Sequence, residues 1–225
     1  MRVLAIDTAL ANCAAAVLDD ASVPCQLTER GDEIGRGHAE HLMNLVSEVM
    51  ADSSTAFNDL DRVIVTTGPG SFTGLRVGLS VARGFGIVLQ KPVVGVTTLA
   101  AIAHAFVGQT GNGPLLVALD GKGEEVYCQL FSVEGTPLSE PEVQTISQLG
   151  HTLPREVHFA GSASQRIAEA CGLGPESVLS NKGYPEVADV ARLGLTIDPS
   201  SATPVPLYLR PPDAKVGTSG RILRQ

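Results

Sequence analysis

One loop of the sequence has a composition that could bind phosphate. It is Gly68-Pro-Gly-Ser-Phe-Thr-Gly74, between the end of a predicted strand and the start of a predicted helix. Glycines let backbone N–H groups approach an anion, and a helix N-terminus favours negative charge. However, the loop lacks the lysine of a P-loop, and Thr73 stands where a dinucleotide-binding loop needs its third glycine. The residues therefore leave two alternatives, a phosphate site or a purely structural turn.

Two aspartates stand at the ends of similar strands. Arg2–Asp7 is an apolar strand ending in an acid, followed by a turn and a return strand. Pro114–Asp120 repeats this pattern about half a chain further on, which predicts a duplicated α/β domain. The alternative is that two hairpins match by chance. The polar segment 108–114 predicts a boundary between subdomains 1–108 and 109–225, the second ending in a frayed tail.

The helix predicted after the glycine-rich loop carries a stripe of small residues that runs to about Leu89. They occupy every fourth position, so they share one face of the helix; they are Gly70, Gly74, Gly78, Ala82 and Gly86. Each glycine costs about 1 kcal/mol relative to alanine, so the smooth face must allow close approach of another backbone. That backbone is either the protein's own sheet or a partner's helix, and the pattern does not decide between them.

A second predicted helix, Glu40–Met50, precedes the loop and is amphipathic. If the second alternative holds, the apolar stripe of this helix and the small-residue stripe together form a candidate partner surface. The residues of this surface are Leu42, Leu45, Val49, Gly74, Leu75, Gly78, Val81 and Ala82.

Other groups that could do chemistry are isolated. His38 and His41 are three residues apart, whereas the metalloprotease motif H-E-x-x-H needs four, so we expect a solvated helix face. The four cysteines are scattered, which predicts reduced thiols rather than disulfides or a zinc site. Ser71 lacks the flanking glycines of a nucleophile elbow.

Composition narrows the function classes. The chain has 225 residues, with Lys+Arg 16 against Asp+Glu 24 and a net charge of −8, which argues against a protein that binds nucleic acid alone. Aromatic residues make up 4% with no Trp, so an aromatic platform for bases is not expected. No run of 18 uninterrupted apolar residues and no signal peptide is present, so we expect a cytoplasmic protein without a membrane contact.

Several motifs, in order along the chain, resemble the TsaB (YeaZ) family. They are Ala5–Thr8, Thr67–Arg76, Gly95–Leu99, Glu125–Tyr127 and Tyr208–Arg210. The resemblance implies a duplicated actin/Hsp70/sugar-kinase-like (ribonuclease H-like) α/β fold. One departure is the turn Asp120–Glu124, where the family more often carries basic residues after the acid.

The resemblance also implies the function. Such a chain would be a non-catalytic scaffold subunit that supports its catalytic paralogue TsaD. The complex adds a threonylcarbamoyl group to the adenosine beside the anticodon in tRNAs reading ANN codons. TsaC would make the threonylcarbamoyl-AMP donor, the ATPase TsaE would join the complex, and tRNA would be reached through the complex. TsaD would bind through the first two helices, and a homodimer could use the same surface.

The same resemblance implies no catalytic or metal-binding residues in this chain. Aligned with the V-N-H-L-E-G-H pattern of TsaD, Thr98 and Ile102 stand at the two histidine positions. Asp7 and Asp120 would be a vestigial nucleotide site, with ATP or ADP and metal held by partner subunits. The alternatives are an ATP-dependent kinase of the same superfold and, less favoured, a metallopeptidase.

Overall fold

The computed structural model describes residues 1–154 and 156–210, and its strands form two five-stranded sheets. The first sheet has the order β3-β2-β1-β4-β5 and the second has the order β8-β7-β6-β9-β10. The strands are β1 (Arg2–Asp7), β2 (Asn12–Asp19), β3 (Gln26–Glu33), β4 (Arg62–Gly68), β5 (Val93–Thr97), β6 (Leu115–Asp120), β7 (Glu125–Phe131), β8 (Glu142–Thr145), β9 (His158–Ala160) and β10 (Val178–Ser180).

Six α-helices connect the strands of the described chain. They are α1 (His38–Asp52), α2 (Phe72–Leu89), α3 (Thr98–His104), α4 (Ile146–Thr152), α5 (Ser164–Ala170) and α6 (Val187–Thr196). Each half runs β-β-β-α-β-α-β-α, with the first three strands antiparallel and the later strands parallel to the central one. The predicted duplication is therefore confirmed, and the fold is the duplicated actin/sugar-kinase-like α/β fold.

The last helix of each half covers the sheet of the other half. Helix α6 packs Val187, Val190 and Ala191 onto the first sheet. Helix α3 packs Leu99 and Ile102 onto the second sheet. The two exchanged helices form apolar layers that hold the halves in contact. Each sheet needs this cover because the helices of its own half do not cover the face in question. Helices α1 and α2 cover the opposite face of the first sheet.

The strands and helices predicted above are confirmed within two residues at each end. Strand β3 was not predicted because its sequence QLTERGDE is charged and largely exposed at the sheet edge. Its register is set by an eight-residue antiparallel pairing with β2 rather than by apolar alternation. The boundary between 1–108 and 109–225 stays a prediction, and the predicted frayed tail lies outside the described residues.

Helix α2 has the length and apolar composition of a membrane-spanning helix, and it is the one such helix among residues 1–154 and 156–210. Arg76 and Arg83 interrupt the apolar sequence of α2, so the helix contains no unbroken run of 18 apolar residues. One side of the helix packs in the protein core. A core helix passes the same test of length and composition, so this finding is weak evidence of a membrane contact.

Candidate functional site

The first candidate acid, Asp7, is sealed inside the protein. Its side chain ends β1 with no exposed surface. The backbone N–H of Ala9 donates to Asp7 Oδ1 at 3.0 Å, and the hydroxyl of Thr66 donates to the same oxygen at 2.7 Å. Asp7 Oδ2 has no hydrogen-bond partner. Burial raises the pKa of Asp7, and the two donated hydrogen bonds oppose that rise only in part.

The glycine-rich loop packs on the turn that follows Asp7. The backbone N–H of Ser71 donates to the carbonyl oxygen of Ala9 at 2.6 Å, so the loop lies directly on the β1–β2 turn. A Cβ at Gly70 would overlap that carbonyl. The Ser71 side chain accepts from the backbone N–H of Gly74 at 3.3 Å and caps α2. The loop therefore acts as a structural turn, in which the N–H groups of Ser71 and Gly74 are bound by the protein itself.

The small-residue stripe of α2 faces the same turn, so its placement on a partner surface is wrong. The hydroxyl of Thr8 donates to the carbonyl oxygen of Gly74 at 2.7 Å. A Cβ at Gly74 would overlap the Thr8 carbonyl, and a Cβ at Gly78 would overlap the Thr8 hydroxyl. Leu75 and Ala82 are buried beside them. The glycines are required because the helix backbone lies against the backbone that follows β1.

The residues predicted from α1 also lie in the core, which corrects the rest of the predicted surface. Leu42, Leu45 and Val49 are buried against the first sheet. Val81 of α2 is half-buried and packs on the same core. An amphipathic period identifies the buried side of a helix, and in both helices that side covers the protein's own sheet.

The accessible side of these two helices is different and also apolar. Ile87 and Val88 of α2 are each 79% exposed, and Met43 of α1 is 47% exposed. A Cβ at Gly84 would meet no atom within 4 Å, so this glycine opens onto solvent. We call the three residues near the end of α2, Gly84, Ile87 and Val88, the outer helix face. No described part of the chain covers it.

The second candidate acid, Asp120, is exposed but already paired. Its Oδ1 lies 2.8 Å from Nη1 of Arg166 on α5, and Arg166 Nη2 lies 3.5 Å from Glu124. The backbone N–H of Asp120 donates to the hydroxyl of Ser162 at 2.9 Å. With one acid sealed and the other neutralised by a guanidinium, the two do not offer carboxylates to a bound Mg-nucleotide. These residues therefore do not fit that group.

The candidate metal ligands do not assemble. His38 is buried, and its Nε2 lies 2.8 Å from the carbonyl oxygen of Leu10, so the expected solvated face is wrong for His38. His41 is exposed, as expected. Thr98 is fully buried, and Ile102 packs on the second sheet. In the part of the chain that the structure describes, no three His, Cys, Asp or Glu side chains are grouped to hold a metal.

Comparisons with known proteins agree with this architecture. A family model described as TsaD, tRNA N6-adenosine threonylcarbamoyltransferase, matches residues 32–198. The tRNA threonylcarbamoyladenosine biosynthesis protein TsaB of Escherichia coli is 33% identical over 127 residues, which cover 56% of this chain and 53% of that protein. The match thus spans about half the length of the curated TsaB.

Two further relatives match over nearly the whole chain. An uncharacterised protein of Mycobacterium bovis is 33% identical over 229 residues, with 95% of this chain and 93% of that protein covered. The solved structure of YeaZ from Pseudomonas aeruginosa superposes with a TM-score of 0.76 at 22% identity, covering 92% of this chain and 100% of that one. The YeaZ structure shows a shared fold. The chain therefore belongs to the TsaD family and, within it, to the TsaB (YeaZ) group.

Proposed function

We propose that this chain is the non-catalytic subunit that supports TsaD in tRNA threonylcarbamoyladenosine synthesis. The observation that carries the proposal is the sealed Asp7, which removes the first acid of the superfold from any open cleft. Threonine and isoleucine at positions 98 and 102 cannot replace imidazoles at iron or zinc. TsaD would then catalyse the transfer of the threonylcarbamoyl group to the adenosine beside the anticodon, in tRNAs reading ANN codons. The complex would act in the cytoplasm.

The same geometry supports the further proposal that the partners hold the cofactors. A bound Mg-nucleotide requires carboxylates that reach the metal or its waters. Asp7 is inaccessible, and Asp120 is held by Arg166 at 2.8 Å. The proposal is therefore that this chain alone binds neither nucleotide nor metal. ATP or ADP and metal would be held by TsaD and by the ATPase TsaE.

The outer helix face is the surface that we assign to TsaD. Ile87 and Val88 present apolar side chains to solvent, and the bare backbone at Gly84 lets a second helix approach closely. Two helices of each paralogue would then form a four-helix contact. In the absence of TsaD, the same apolar face would be covered by a second copy of this chain.

A charge-insertion pair tests this surface. Val88→Glu places a carboxylate in the outer helix face, and Val23→Glu is the matched control because Val23 is 98% exposed in the β2–β3 loop. In a pull-down with TsaD, we expect Val88→Glu to lose at least tenfold in affinity and Val23→Glu to bind normally. Both variants should melt like the parent protein. Normal binding by Val88→Glu would reject this surface.

Ligand measurements separate the proposal from its alternatives. A kinase of the same superfold would bind Mg-ATP, so calorimetry on the lone chain should detect binding at micromolar concentration. A metallopeptidase would carry zinc or iron on elemental analysis. We expect neither signal. Micromolar binding of Mg-ATP would favour the kinase and would contradict the inference drawn from the sealed Asp7.

A further inference from the structure

The charges of this acidic protein are unevenly distributed. Of the 24 acidic residues, none lies between Asp61 and Asp120, a span that contains α2 with Arg76 and Arg83. The segment 199–210 also lacks acids. A chain with a net charge of −8 thus has two long segments that carry no negative side chain.

The structure brings these two segments onto one surface. Residues 202–208, which we call the strap, run beside α2 and the end of β4. The Nε of Arg83 donates to the carbonyl oxygen of Pro204 at 3.0 Å, and the backbone N–H of Leu207 donates to Thr67 at 2.7 Å. The rings of Phe72 and Tyr208 lie 5.3 Å apart at an angle of 35°. Helix α2 and the strap therefore share a surface to which neither segment contributes an acidic side chain.

Four side chains give this surface its chemistry. Phe72 and Tyr208 are 46% and 44% exposed, an unusual exposure for two adjacent aromatic rings in a chain with so few. The guanidinium of Arg76 lies 3.8 Å from the centre of the Phe72 ring. Within residues 1–154 and 156–210, no carboxylate lies within 4 Å of Arg76 or Arg83. We call Phe72, Arg76, Arg83 and Tyr208 the aromatic–arginine ridge.

The ridge bears on two expectations drawn from composition alone. A low aromatic content argued against a platform for bases, yet the chain places two of its few rings together at the surface. A negative net charge argued against contact with nucleic acid, yet the acidic residues lie outside α2 and the strap. Arg210 adds no unpaired positive charge to the ridge, because Glu125 lies 3.4 Å from its guanidinium group.

We propose that the aromatic–arginine ridge contacts RNA directly, with unpaired bases stacked on Phe72 and Tyr208 and phosphates bound by Arg76 and Arg83. Exposed rings beside guanidinium groups that have no carboxylate partner among the described residues match a single-stranded segment, which offers both flat bases and phosphate charge. An acidic peptide would satisfy the charges but would leave the rings without a stacking partner. The inference rests on the proposed function in one respect, because that function makes an unpaired region of tRNA the RNA at hand.

Salt-dependent binding tests the arginines. Fluorescently labelled, unmodified tRNA is titrated with the lone chain and with its complex with TsaD, at several salt concentrations. The variant is Arg76→Gln with Arg83→Gln. The matched control is Arg30→Gln with Arg192→Gln, which removes two half-exposed arginines that belong to β3 and α6 rather than to α2 or the strap. The ridge variant should lose about tenfold in affinity, and its salt slope should fall by about 0.7 per arginine. The control should change neither quantity.

A second pair of variants tests the stacking. Phe72→Leu and Tyr208→Leu keep apolar contacts in the ridge but remove the rings. Each should weaken RNA binding by about tenfold and leave the salt slope unchanged. If the arginine double variant melts early, Arg76→Gln decides alone, because no hydrogen bond joins the Arg76 guanidinium to the backbone of residues 1–154 and 156–210.

The results that would overturn the ridge are distinct from those that would overturn the proposed function. RNA binding equal to the parent in all ridge variants, or an equal loss in the control, would overturn it. So would a ridge that binds phosphatidylserine vesicles but not tRNA. Failure to bind TsaD in the pull-down would count against the proposed function alone, since the lone chain still reports on the ridge.

Discussion

The orientation of α2 makes a sharp prediction about two glycines in the same helix. A Cβ at Gly74 would overlap the backbone carbonyl of Thr8, which cannot move without displacing the β1–β2 turn. A Cβ at Gly84 would meet nothing within 4 Å. Gly84→Ala should gain the helix preference of alanine, about 1 kcal/mol. Gly74→Ala should instead lose about 1–3 kcal/mol, the usual cost of overpacking.

The two variants should therefore differ by about 2–4 kcal/mol. For a domain of this size, that corresponds to roughly 4–16 °C in melting temperature, with Gly84→Ala above the parent and Gly74→Ala below it. Thermal and urea unfolding followed by circular dichroism give both quantities. Equal stability of the two variants would refute the conclusion that the small-residue stripe faces the protein's own sheet.

Three further predictions follow from buried groups. Burial raises the pKa of Asp7 in the folded protein, so the neutral carboxyl group is the form that stabilises the fold. This stability is lost as the pH rises through that pKa and the group ionises. Asp7→Asn should therefore become more stable than the parent as the pH rises, by about 1.4 kcal/mol for each unit by which the pKa of Asp7 is raised. Urea unfolding at several pH values measures this gain, and no gain would mean that Asp7 is solvated. Arg62→Met should destabilise the protein by about 3 kcal/mol, since the buried guanidinium donates to three carbonyls at the end of α6; an unchanged urea midpoint would contradict this contact. The pKa values of Cys13 and Cys128 are raised to about 11 and about 12 by burial, so mass spectrometry after iodoacetamide at pH 8 should find Cys25 labelled and those two protected until unfolding.

The sequence predicted the parts of the fold that are set by local pattern. Apolar runs ending in Asp7 and Asp120 identified the two hairpins, and their recurrence identified the duplication, because buried central strands must be apolar along their length. Charged β3 was missed, since an exposed edge strand has no apolar period to detect. The exchange of α3 and α6 between the halves was also out of reach, because helical periodicity shows a buried face without showing which sheet buries it.

The site residues show the same limit. The four-residue spacing of Gly74 and Gly78 correctly indicated close backbone approach, but it did not identify the Thr8 turn as the neighbour. Likewise, Asp7 has the residue type and strand position of a metal ligand, and only the three-dimensional structure shows that its side chain is fully buried. A signal for the aromatic–arginine ridge was present in the sequence as the absence of acids between Asp61 and Asp120.

Reconstitution of tRNA modification tests the central claim most directly. Purified TsaD and TsaE are supplied with threonylcarbamoyl-AMP, ATP and unmodified tRNA, with or without this chain, and the modified nucleoside is measured by mass spectrometry. We predict modified nucleoside only when this chain is present together with TsaD, and none from this chain alone. Consumption of threonylcarbamoyl-AMP by the isolated chain, or full modification without it, would contradict the account.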